Sequence, residues 1–276
     1  MAVINTNISA QYAQDALATN QKSMSSAMQQ LATGNRINAA KDDAAGLSMA
    51  QNMTSQVRGL NQAVRNTTDG INLLQTADGA LVETSNMLQR MRELAIQSSN
   101  GTNSVSQRSY LDKEFKSLQD EVTRIGDNTT WNASNLFGSA AGVAVTMVFQ
   151  AGAGSGQTIS VALASMNATA LLVDAGAIAI STFTGSQLAI TSVDTAIEVV
   201  NSARSSMGAA MNQLSYSADN MTNISTNVAA SRSTIMDADY ATASSQLSRA
   251  QIIQQAATAM LAQANQQPKN VLELLK

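Results

Sequence analysis

The sequence predicts a mainly α-helical protein, a long coiled-coil bundle interrupted by a small β-hairpin region with little or no outer domain. Three observations carry this. There is one proline in 276 residues, Pro268, so almost nothing blocks long helices. Aromatic residues are 3% of the chain, too few to build a core around large rings, and Ala, Leu, Met, Val and Ile must fill it. Apolar residues recur every seven positions over long stretches.

The first of these stretches holds two interleaved rows, Ala50, Val57, Val64 and Ile71 in one and Met53, Leu60, Leu74, Leu81 and Leu88 in the other. Alternate spacings of three and four place both on one helix face, the seam of a coiled coil. Asp42 or Asp43 caps the start, and the run ends near Asn100-Gly101. A helix of that extent is about 80 Å long. A shorter helix follows from about Ser106 to Ile125, carrying Leu111, Phe115, Leu118, Val122 and Ile125. Much later, Val200, Met207, Leu214, Met221, Val228 and Ile235 form a second seam, flanked by Ile197, Met211 and Ala218, whose obvious partner is the first. An ordinary three-helix bundle predicts the same contacts.

Both ends carry amphipathic stripes of their own: Ala10, Leu17, Met24 and Leu31 at one, and Leu247, Ile253, Ala257 and Leu261 at the other. Each lies beyond a loop, at 34–41 and 236–239, so the two ends form a second, thinner layer. Slim Ala- and Gln-rich helices bury little area, and isolated helices draw most of their stability from packing. These ends are expected to become ordered on meeting other subunits. The middle, about 140–185, is rich in Ala, Gly, Ser, Thr and Val and poor in charge. Val143, Val145 and Met147 alternate with Ala144 and Thr146, and 158–163 is a second β-prone run; 151–156 between them reads as a flexible turn.

Composition also narrows function. The chain has no His and no Cys, and 13% of its residues are charged, which removes zinc and disulfide frameworks and most general bases and nucleophiles. No catalytic residue, cofactor site or metal site is expected. The Gly-rich turn lacks the following Lys of a phosphate-binding loop, and HExxH chemistry needs His. A net charge of −3 gives no broad attraction to nucleic acid or an anionic membrane, and the longest apolar stretches fall well short of a bilayer span. The first residues, Met1 to Asn7, lack the pattern of a cleavable secretory signal.

Longer motifs then give a resemblance. Residues 1–7 (MAVINTN), 34–47 (GNRINAAKDDAAGL), 53–60 (MTSQVRGL), 65–79 (RNTTDGINLLQTADG) and 88–104 (LQRMRELAIQSSNGTNS) are similar to the N-terminal part of bacterial flagellins. Residues 231–240 (SRSTIMDADY) and 248–275 (SRAQIIQQAATAMLAQANQQPKNVLELL) are similar to the C-terminal part. The resemblance implies a subunit of the extracellular flagellar filament with a terminal coiled-coil layer, D0, and a helical layer, D1. It divides the chain into 1–40 (D0), 41–139 (D1), 140–190 (reduced variable region), 191–236 (D1) and 237–276 (D0). On this reading Val57, Leu60, Val64, Ile71, Leu74, Leu81, Val200, Met207, Leu214, Met221 and Val228 form the D1 seam. Leu17, Met24, Leu31, Leu247, Ile253 and Leu261 form the D0 assembly seam.

The implied partners are further copies of the chain in a helical homopolymer, the type III flagellar export apparatus and its chaperone, and the filament cap and hook-junction proteins. Missing cysteine fits passage to an oxidising exterior. Gln89, Arg90, Leu94, Gln97 and Glu114 match positions through which some flagellins engage Toll-like receptor 5. The competing reading is structural, with Arg90 paired to Glu93 or Glu83, Arg92 to Glu93, and Leu88 and Leu94 packed inward. A hook–filament junction protein is the nearest alternative. The family usually has Phe before Asn-Gly where this chain has Trp131-Asn132-Ala133, so a local change of turn is expected. The sequons at Asn132 and Asn167 are read as coincidental, whereas middle-region Ser and Thr could carry O-glycans.

Overall fold

Helix ends in this chain are written into its short polar residues. In the computed structural model, which describes residues 6–138, 144–174 and 178–273 (side chains to 266), the elements are α1 (Ile8–Thr33), α2 (Ala44–Ser98), α3 (Val105–Asn128), β1 (Thr130–Trp131), β2 (Ser134–Asn135), β3 (Val145–Gln150), β4 (Thr158–Leu163), α4 (Phe183–Met236) and α5 (Tyr240–Glu273). Val143, expected to begin a strand, lies outside the described residues. Asn7 caps α1 by accepting from the Ala10 amide at 3.1 Å. Asp43 does the same for α2 through the Gly46 amide at 2.9 Å. Ser104 and Gln107 form a reciprocal capping box on α3. Gly34 ends α1 in a left-handed conformation, φ 72°, which costs a glycine little.

The chain divides into two compact units, residues 1–57 with 226–276, and residues 58–225. In the second, α2 and α4 run antiparallel, as the bonds from Arg204 to Asp78 (2.8 Å) and Arg92 to Asp194 (2.6 Å) establish. Their heptad residues face one another: Leu74, Leu81, Leu88, Val200, Met207 and Leu214 are fully or almost fully buried, with Phe115 and Val122 of α3 beside them. Leu60 and Met221 form a smaller buried cluster with Val64 against it, and Ile71 packs on the main core. Val57 and Val228, in the other unit, are half-buried.

The expected hairpin forms. β3 and β4 pair antiparallel, from Val145 opposite Leu163 to Gln150 opposite Thr158. Its inward residues, among them Met147, Phe149, Ile159 and Val161, join the core of the unit. Phe149 lies against Gly70 of α2, where an added Cβ would meet the ring at 2.9 Å, so the missing side chain is the seat of the ring. The Gly-rich turn, expected to be flexible, is bracketed by its flanking glutamines. Gln150 donates to the Gly152 and Gly154 carbonyls (2.9 and 2.7 Å), and Gln157 accepts from the Gly154 amide (2.9 Å).

After the hairpin the chain is irregular, and it places Met166, Ala168, Leu171, Val173, Ile178 and Ile180 in the same core. Its backbone is satisfied by side chains from α2 and α3, as burial requires. Asp112 accepts from the Ile180 amide at 2.8 Å, Ser98 donates to the Ile180 carbonyl at 2.5 Å, and Gln119 donates to the Val173 carbonyl at 2.7 Å. At β1–β2 both turn residues have positive φ, 48° at Asn132 and 64° at Ala133. That is the two-residue geometry Asn-Gly favours, so the expected change of turn does not occur. Ala133 adopts instead a left-handed conformation that costs an L-residue about 1–2 kcal/mol.

Candidate functional site

The chain ends meet in the first unit. α1 and α5 lie antiparallel, held by three bonds in step: Asn7 Nδ2 to the Ala264 carbonyl (2.8 Å), Asn20 Nδ2 to the Ala250 carbonyl (2.7 Å) and Tyr240 Oη to the Leu31 carbonyl (3.2 Å). On α1 the inward positions are Ala10, Ala13, Leu17, Asn20, Met24, Ala27 and Leu31. On α5 they are Ala243, Leu247, Ala250, Gln254, Ala257, Leu261 and Ala264. Both series alternate three and four residues, and alanine supplies much of each. The small side chains leave room for the backbone carbonyls of one helix to be reached by amides of the other.

Five of the six expected terminal seam residues, Leu17, Met24, Leu31, Leu247 and Leu261, are therefore half-buried in this pairing. Ile253, expected in this seam, lies outside it. It is 45% exposed, because one residue rotates a helix by about 100° and the seam position belongs to its neighbour, Gln254. Ile253 belongs with Ile252 and Met260, 66% and 65% exposed, to a second apolar stripe facing away from α1. Asn20, 9% exposed, is an inward residue that an apolar pattern does not reveal.

Beneath the pair, the two connecting loops form an antiparallel bridge between Asn35 and Asp237. The Ala238 amide donates to the Gly34 carbonyl at 2.9 Å and the Arg36 amide to the Met236 carbonyl at 2.6 Å. The Arg36 guanidinium reaches the Ile235 carbonyl at 2.6 Å. Asp239 caps α5. Its carboxyl is held below the usual carboxylate range by the Thr242 hydroxyl first, then by the Ala241 and Thr242 amides.

A second expected surface lies on α2 and α3. Arg90 binds Glu93 and Glu114, each at 2.9 Å, and both bonds raise its pKa, the Glu93 hydrogen bond most. Gln89, Arg90, Gln97 and Glu114 are exposed. Leu94 is fully buried, so its side chain supports this surface from inside and cannot touch a macromolecule docking there. Arg92 pairs with Asp194, and the expected bond to Glu93 is absent, as adjacent helical residues diverge. Among the described residues no three acidic, His or Cys side chains are grouped to hold a metal, and no helix is long and apolar enough to cross a membrane.

Comparison with known proteins then decides the family. The family model of the bacterial flagellin N-terminal helical region matches residues 4–141, and that of the C-terminal helical region matches residues 190–275. The chain belongs to the flagellin family. A flagellin of Halalkalibacterium halodurans is 42% identical over 274 residues, covering 99% of this chain and all of the relative. Flagellin A of Vibrio cholerae is 33% identical over 378 aligned positions, covering 99% of each. A solved structure described as a flagellar hook-associated protein from Vibrio parahaemolyticus shares the fold, with a TM-score of 0.60 over 71% of this chain and all of its own, at 17% identity. Flagellin is a structural protein family, and this chain is a subunit of the flagellar filament.

Proposed function

We propose that this flagellin elongates the filament by covering the outer stripe of its paired ends with neighbouring copies. The observation that carries this reading is the stripe of Ile252, Ile253 and Met260. Large apolar side chains stand out on a helix whose other face is already taken by α1. Contiguous exposed apolar surface calls for a partner, and a repeated non-closing contact between identical subunits generates a helix. The D0 layer comprises the two chain ends, D1 comprises the long antiparallel helices, and the short middle adds no separate domain.

Export through the flagellar type III apparatus with a chaperone, then incorporation beneath a filament cap, fits a chain whose ends gain order from the new interface. Purified subunits should elongate steadily on filament seeds. Amide exchange of 17–31 should be fast in the monomer and slow in the filament. Growth that stops after a short zone would instead indicate a junction protein, and strong monomer protection of 17–31 would refute folding on assembly.

The monomer is also a ligand for Toll-like receptor 5 through Gln89, Arg90, Gln97 and Glu114. An exposed arginine oriented by two carboxylates on a rigid helix pair supports this reading, since Arg is frequent among interface hot spots. Arg90→Ala should reduce receptor signalling by monomer at least tenfold without changing helical content; unchanged signalling removes the assignment.

A further inference from the structure

α4 ends at Met236 with backbone carbonyls that have no amide of the next turn to bind, and the helix has no basic residue in its own last turn. The cation is supplied from elsewhere. Arg36, 199 residues earlier, places its guanidinium on the Ile235 carbonyl at 2.6 Å while its own amide takes the Met236 carbonyl at 2.6 Å. A positive charge at a helix C-terminus is favoured by the helix dipole, and a guanidinium offers several donors to adjacent carbonyls. One residue thus caps α4 with both its side chain and its backbone.

The placement of that cap matters. Arg36 follows directly on Asn35, which bridges to Asp237, and Gly34, whose carbonyl receives the Ala238 amide. These bonds fix the points at which α1 ends and α5 begins. The seam above them is repetitive, with Ala10, Ala13 and Ala27 on one helix and Ala243, Ala250, Ala257 and Ala264 on the other. Asn20 donates to a backbone carbonyl, a partner present at every residue of α5, so displacement by one heptad would offer it an equivalent bond. The seam alone discriminates poorly between such registers.

We propose that Arg36 is the positioning residue that sets the α1–α5 register, by fastening the first loop to the C-terminus of α4 so that the helices start pairing at one level only. The proposal rests on the assembly reading, since a displaced register would present Ile252, Ile253 and Met260 at the wrong height to a neighbouring copy.

The test uses full-length chain elongating on seeds. Arg36→Ala should raise the critical concentration for growth at least fivefold and accelerate exchange of the Ala238 amide in whatever filament forms. Arg36→Lys, which keeps the charge and one donor, should recover part of the loss. The chain has no cysteine of its own, so Asn35→Cys with Asp237→Cys gives a unique disulfide. The two bonds flanking this pair make it the narrow kind, with Cα atoms about 4.5 Å apart, within disulfide range. Oxidised, that cross-link should restore growth to the Arg36→Ala chain, and reduction should abolish the rescue. Unchanged growth of Arg36→Ala overturns the proposal, and so does a loss that the cross-link fails to repair, which would assign Arg36 to a contact between subunits. Failure of the parent chain to elongate would instead count against the assembly reading.

Discussion

The two units bury their helices by opposite means. In residues 58–225 the seams are filled by Leu74, Leu81, Leu88, Met207 and Leu214, with Phe115 and Phe137 completing a core of large side chains. In the paired ends the fully covered apolar residues of the seam are alanines, Ala27 and Ala243 among them, and the leucines remain half-buried. At about 25 cal/mol per Å² of apolar surface removed from water, burying large side chains stabilises the first arrangement more per residue than burying alanines. The second gains far less from its own chain. The two units therefore differ in what fills their seams, large side chains in the body and alanines with half-buried leucines in the ends.

Three substitutions probe that contrast. The largest effect is expected from Leu88→Ala, which empties a fully buried position and should cost about 2–5 kcal/mol in denaturant unfolding of the monomer. A cost under about 1 kcal/mol would mean this core is not what stabilises the body. In the ends the damaging change is the addition of volume. Ala27→Leu, at a site 2% exposed, should wedge α1 from α5 and cost about 1–3 kcal/mol, lowering the filament's melting temperature while leaving monomer unfolding unaltered. A neutral outcome would show the alanine seam to be loosely packed.

The smallest effect is a pH dependence. The Asp239 carboxyl has its folded-state pKa lowered, so its stabilisation is complete above the unfolded value of about 3.9 and lost as pH falls through the folded value. Asp239→Asn keeps a capping side chain and removes the proton linkage. Filaments of this variant should show a shallower fall in melting temperature between about pH 5 and about pH 2. The acid sensitivity due to Glu121, whose pKa is lowered chiefly by its hydrogen bond from Arg124, should persist. An unchanged slope would place the acid-sensitive step outside the paired ends.

The body was legible wherever large apolar residues marked the period. Leu60 and Leu74 announce their row, but the position between them is Thr67, fully buried, with its hydroxyl bonded to the Val64 carbonyl at 2.8 Å. A helix can satisfy a hydroxyl internally, so a polar letter there does not mark the surface. In the ends the same reading was less secure, because alanine occurs on every face and identifies none. Hydrophobicity points to Ile253 for the seam, whereas position in the heptad points to Gln254. Residues 166–174 and 178–180 show no period at all, and Ser98, Asp112 and Gln119, far away in sequence, bond the backbone of Val173 and Ile180. The Arg90–Glu114 cluster was legible as exposed charge, but the inward turn of Leu94 beside it was not.

The bracket around 151–157 has a consequence for cleavage. A Gly- and Ser-rich tip is the kind of segment proteases nick first, because it extends easily into their clefts. Here Gln150 and Gln157, with the Ala151 amide on the Gln157 carbonyl at 2.8 Å, close the tip into a hydrogen-bonded ring. Cutting it requires the ring to open first, so with these two uncharged amides in place the tip is expected to be digested more slowly than its composition suggests.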